Sequence, residues 1–252
     1  MEQGLPNQIR PDHLNPGMYY FIFPRGINLG ILMNEFVRQL DYIFASHANP
    51  RNAVPMAHYM KDQFQFFGIK SKDRRTLTSA FLKQHGRPDM VSIPSIVRAL
   101  WKHPKREMQY VGLDLLSKEE RRAPEDFVHL CTELITRKSW WDTVDALAVT
   151  AGQILARYPD SVKPITGDWI DSENMWLRRS ALIFQLKYKE KTDWPLLKSY
   201  LQKVLDEPEF FIQKACGWAL RQHSKTDPEA VRDFVQAHQL SSVCRREAIK
   251  FI

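Results

Sequence analysis

From Met33 onward the apolar residues recur at three- and four-residue spacing, as in Phe36, Val37, Leu40, Ile43 and Phe44. That period puts them on one face of an α-helix, and the stretches carrying it are too long for strands. Punctuation between the stretches is regular. His85-Gly86-Arg87-Pro88, His103-Pro104, Tyr158-Pro159, Glu207-Pro208 and Asp227-Pro228 each close or open a helix, because proline drives the residue before it out of the helical region. Thr226-Asp227-Pro228-Glu229 joins a capping side chain to a proline in the first turn, and Ser172-Glu173-Asn174 offers similar caps ahead of Met175. No Asn-Gly or Asp-Gly turn separates two alternating apolar runs, which argues against a β-sandwich or barrel.

The helical pattern repeats. Glu107-Met108-Gln109-Tyr110, Trp141-Asp142-Thr143-Val144, Trp176-Leu177-Arg178-Arg179, Phe211-Ile212-Gln213-Lys214 and Val243-Cys244-Arg245-Arg246 align as equivalent helix starts, separated by 34, 35, 35 and 32 residues. Each unit has room for two helices and short turns, the signature of an all-α solenoid of tandem helix pairs, whose second helices line a concave face. Residues 33–252 form one such domain. The apolar runs Tyr19–Phe23 and Ile27–Leu32 are broken by Pro24, Arg25 and Gly26, too short for a membrane span and without signal-peptide features. Residues 1–32 are therefore read as a leader outside the native chain, with Met33 as its start.

Charge adds a candidate partner. The net charge is +7, and 14 Lys and Arg against 9 Asp and Glu from Asn174 onward place +5 of it in the last third. Such a bias suits a polyanion, since Lys and Arg release counterions from phosphates, although a solvated basic surface gives the same composition. Cys131, Cys216 and Cys244 lie far apart inside apolar helical patterns, as buried thiols of a reducing, cytoplasmic compartment do. With no HExxH motif and no Cys/His cluster, neither a metal nor another cofactor is expected.

Two constellations carry possible chemistry. The fourth aligned position reads Tyr110, Val144, Arg179, Lys214 and Arg246, so three successive repeats place a cation at one equivalent point. Arg179, Ile183 and Lys187 at i, i+4, i+8, and Lys214, Trp218 and Arg221 at i, i+4, i+7, are expected to share helical faces. The second constellation is Lys138-Ser139-Trp140-Trp141-Asp142-Thr143-Val144-Asp145, where Trp141 and Asp145 share one face. Asp145 stands among apolar neighbours, where an unpaired carboxylate is costly. A helix cap, a cation such as Arg179, or a substrate must satisfy it. An Asp paired across repeats beside two core tryptophans would fit the same residues.

These segments, with Trp176–Lys189, Glu209–Arg221 and Cys244–Lys250, and more weakly Met56–Lys61 and Gly68–Arg75, resemble the AlkD family of bacterial DNA alkylation repair proteins. The likeness runs from about Met33 to the end of the chain, which stops soon after the last motif, so a short final helix is expected. The resemblance implies a HEAT-like solenoid with a basic concave face that excises cationic N3- and N7-alkylated purines, 3-methyladenine and 7-methylguanine. Carried over by position, Asp145 is the catalytic carboxylate, Trp141 and Trp218 are aromatic walls, and Arg179 completes the cleft. Lys187, Lys214, Arg221, Arg245 and Arg246 would hold the DNA backbone, and Tyr59 matches an N-terminal aromatic that faces DNA. The implied partner is double-stranded alkylated DNA, bound by a monomer with no metal and no membrane. A HEAT-repeat protein that binds DNA without excising a base is the first alternative, and a protein–protein scaffold the second.

Overall fold

The computed structural model describes residues 29–252, with side-chain surroundings from Glu35 onward. In chain order the helices are α1 (Leu29–Ser46), α2 (Pro50–Tyr59), α3 (Ser71–His85), α4 (Ile93–Lys102), α5 (Arg106–Glu119), α6 (Asp126–Ile135) and α7 (Trp141–Leu155). They continue with α8 (Pro159–Ile170), α9 (Met175–Ile183), α10 (Trp194–Val204), α11 (Phe210–His223), α12 (Pro228–Ala237) and α13 (Ser242–Ala248). Short 3₁₀ turns cover Lys189–Lys191 and Ile249–Phe251, and no strand occurs among the described residues. The expected leader falls mostly outside them. Its last four residues, however, already belong to α1, because the apolar run from Leu29 continues the helix ahead of Met33.

Local chemistry sets several boundaries. Asp227 accepts a hydrogen bond from the Ala230 amide, and Pro228 follows in the first turn of α12. Asn174 caps α9 by accepting from the Trp176 amide. Each such side-chain acceptor satisfies an amide that has no partner inside its helix.

The helices form two layers. Second helices α3, α5, α7, α9, α11 and α13 each pack on the next, and first helices α4, α6, α8, α10 and α12 back them pairwise. Because a helix buries its apolar stripe only against neighbours, the core runs continuously from Phe36 to Ala248. Close approach is decisive at Gly152: a Cβ there would stand 2.0 Å from the Phe184 carbonyl oxygen. The two backbones therefore touch where α9 ends.

That contact corrects one expectation. Helix α9 stops at Ile183, and residues 184–187 form a turn, so Arg179, Ile183 and Lys187 do not share one helical face. Ile183 is in the core, fully buried. By contrast the short final helix is present as α13. Cys131, Cys216 and Cys244 are free and buried, and burial pushes the Cys131 thiol up to about 12. No helix among the described residues is long and apolar enough to cross a membrane.

Candidate active site in the inner helical layer

The start of α7 is fixed from the repeat before it. Lys138 adopts a left-handed backbone (φ 49°) and Trp140 an extended one, turning the chain into the helix. The fully buried Arg106 donates to the Lys138 carbonyl from Nη1 (2.8 Å) and to Thr143 Oγ1 from Nη2 (2.9 Å). It also grips Asp142 through Nε (2.9 Å) and Nη2 (2.6 Å). Tyr110 Oη donates to the same carboxylate at 2.7 Å. The Arg106 guanidinium lies 3.7 Å over the Phe64 ring, whose face favours a cation. Asp142 thus accepts three side-chain hydrogen bonds and is closed off, with its side chain 6% exposed.

One turn on, Asp145 meets a different setting. Arg179 Nε and Nη2 donate to its two oxygens at 2.7 and 2.8 Å, and Nη1 donates to the Phe211 carbonyl. Every nitrogen of Arg179 is engaged, so this cation is spent on holding Asp145 rather than offered to a phosphate. Its place in the expected basic row is filled, but as a buried ion pair. Of the three possible ways to satisfy Asp145, the neighbouring cation is the one present. The carboxylate is still 17% exposed. Burial raises its pKa above the ordinary Asp value, Arg179 opposes the rise, and the negative charge of Asp142 adds to it.

Asp145 opens onto a cleft of about 440 Å³ lined also by Trp141, Arg179, Lys214, Trp218 and Arg221. The i, i+4, i+7 set on α11 thus converges with Asp145 on one hollow. Tyr59, at the end of α2, is exposed and stands edge-on to Trp141, with ring centroids 5.9 Å apart. Lys187 is elsewhere: it lies 3.8 Å from Glu120 and borders a second hollow near the C-terminal end of α7. Arg245 and Arg246 are exposed on α13, outside the cleft lining.

Four further cleft residues escaped the sequence reading: Phe210, Phe211, Glu247 and Lys250. Phe211 had a visible signal, since the first aligned position is aromatic in three successive repeats, at Trp141, Trp176 and Phe211. Trp140, Trp176 and Phe211 pack together, with centroids 5.0–5.8 Å apart, and so brace the carbonyl that Arg179 uses. Trp140 is therefore a packing residue, whereas Trp141 faces the cleft. Among the described residues no group of His, Cys, Asp and Glu has the make-up of a metal site.

A model of the family described as DNA alkylation repair enzyme matches residues 42–252. The chain belongs to this family. A predicted DNA alkylation repair enzyme from Enterococcus faecalis has a similar solved structure, at 37% identity and a TM-score of 0.76, covering 81% of this chain and 96% of that one. AlkD2 from Streptococcus mutans shares the fold at 16% identity and a TM-score of 0.59, over 87% of this chain and 99% of its own. No curated protein matches. Membership in a DNA alkylation repair family gives the cleft a context: its four basic side chains face two carboxylates, a net positive hollow suited to a phosphate backbone.

Proposed function

We propose that this member of the family is a monofunctional DNA glycosylase that hydrolyses the N-glycosidic bond of 3-methyladenine and 7-methylguanine in duplex DNA. The observation that carries the reading is the carboxylate of Asp145, clamped by Arg179 yet open to a cleft walled by Trp141 and Trp218.

Alkylation at N3 or N7 leaves the purine positively charged and already a good leaving group. As the bond from C1′ to N9 breaks, its electron pair neutralises the purine, and positive charge develops on the sugar. An anion held in advance near C1′ stabilises that charge without reorganising. The indole faces of Trp141 and Trp218 add cation–π attraction. Water then bonds to C1′ and gives up a proton to the solvent, leaving an abasic deoxyribose. Each Asp145 oxygen accepts one bond from Arg179 and retains capacity for another, enough to orient that water. Because the leaving base is cationic, no general acid is required. Arg179 acts through Asp145 and is a positioning residue. Lys214 and Arg221 in the cleft, Tyr59 beside Trp141, and Lys187, Arg245 and Arg246 away from the cleft lining are assigned to the DNA backbone.

The Asp145–Arg179 pair also favours a second reading, binding without excision, because it neutralises the one carboxylate that the chemistry needs. The test is mass spectrometry of bases released from methylated duplex DNA without added metal. Release of 7-methylguanine or 3-methyladenine is the expected result. Binding that falls steeply with salt, with no base released, would leave only the second reading.

A further inference from the structure

Helix α13 approaches α11 so closely that a Cβ on Gly217 would stand 2.6 Å from both the Cys244 carbonyl oxygen and Glu247 Cβ. This contact brings Glu247 under the rim of the cleft. Its carboxylate accepts from Lys214 Nζ at 2.5 Å, Arg221 Nη1 at 2.7 Å and Lys250 Nζ at 3.0 Å. The side chain of Glu247 is only 5% exposed, whereas those of the three cations are 25–44% exposed. The cations keep it strongly ionised, with a pKa lowered to about 2. Three donors, two from α11 and one from the 3₁₀ turn after α13, thus converge on two anionic oxygens, as they would on a phosphate.

We infer that Glu247 is an internal anion that competes with DNA phosphates for Lys214, Arg221 and Lys250. The inference rests on the DNA-binding part of the proposal above and adds a role for a residue outside the bond-breaking chemistry. Without DNA, Glu247 holds the three side chains together and offsets one of their charges. When a phosphate arrives it must share or displace these contacts, so any duplex binds more weakly than three free cations would allow. Affinity for undamaged DNA is thereby restrained, which lets the protein leave sites that hold no lesion and leave its abasic product.

The test uses the full chain and an undamaged duplex, so it does not depend on base release. Glu247→Gln keeps the side-chain shape and removes the charge. It is expected to tighten binding about five- to tenfold near 0.1 M salt and to steepen the salt slope by about 0.9, as one more neutralised phosphate requires. Glu247→Asp keeps the charge and is expected to bind within about twofold of the wild type, since the charge count is unchanged. Unchanged or weaker binding by a folded Glu247→Gln protein would overturn the inference, as would equal tightening in both variants. If Glu247→Gln does not fold, the side-chain carboxyl ¹³C resonance of Glu247 in the wild type decides. It must move as undamaged duplex is added, and a stationary signal overturns the idea. Failure of the wild type to bind any duplex removes the DNA reading itself, while release of alkylated bases with an untightened Glu247→Gln removes only this inference.

Discussion

Asp142 and Asp145 stand three residues apart on α7, and each is gripped by two nitrogens of an arginine from a neighbouring repeat. Asp142 is also bonded by Tyr110 and is closed off from solvent. Among the described residues Asp145 has no side-chain partner besides Arg179, and it borders the cleft. The same residue type with the same kind of counter-ion is thus structural in one case and a candidate for chemistry in the other. What separates them is spare acceptor capacity facing open space. A buried ion pair alone is weak evidence of either role, because desolvation cancels much of its attraction.

The largest effect expected from breaking this contrast is on stability. Asp142→Asn strips the charge partner from the fully buried Arg106, and breaking a buried pair in this way costs about 3–5 kcal/mol. For a chain of this size that lowers the melting temperature by about 6–20 °C, readable by calorimetry or circular dichroism. A melting temperature close to the wild type's would show that the first turn of α7 does not depend on Arg106.

Next comes Arg179→Gln. Burial already raises the pKa of Asp145, and Arg179 opposes that rise. The proposed mechanism needs the ionised carboxylate, so release by the wild type should decline with acid at a pH above the ordinary Asp value. Without Arg179 the decline should begin at still higher pH, and the plateau rate should drop. A pH–rate profile that keeps its shape would mean that Arg179 does not tune Asp145.

The smallest effect belongs to the far rim. Glu247 has a folded-state pKa near 2, depressed from 4.5. A depressed carboxyl contributes stability that is complete above 4.5 and is lost as pH falls towards 2. Acid titration of stability should therefore lose this component in Glu247→Gln, and an identical acid slope in the two proteins would contradict the geometry.

Much of this arrangement was readable in the chain. The repeat spacing reflects pairs of helices that must bury their stripes on neighbours, so the solenoid and its inner layer followed from periodicity. Trp141, Asp145, Trp218, Lys214 and Arg221 converge because helical spacing is local and α7 and α11 are regular. Lys187 failed that logic: the end of α9 is dictated by backbone contact between Gly152 and Phe184, residues 32 apart, which no local pattern encodes. The cation row was visible as a row of residue types, and Arg179 was one of three ways to satisfy Asp145, but the pairing of Lys214 with Glu247 had no such signal. Arg179 and Lys214 find their carboxylates 34 and 33 residues away, across the repeat junctions. Glu247 lies in a segment with Arg245, Arg246 and Lys250, and only the tight seat at Gly217 reveals where it sits.

In the proposed reaction the Asp145 carboxylate lowers the barrier to bond breakage without serving to bind DNA. Single-turnover release of 7-methylguanine from a defined duplex by the wild type and by Asp145→Asn, with duplex affinity measured on the same samples, tests it most directly. The expected result is a rate lowered by about 10²–10³, the size typical for losing one preorganised electrostatic group, with affinity not weakened. Equal release rates, or rate and affinity lost together, would contradict it.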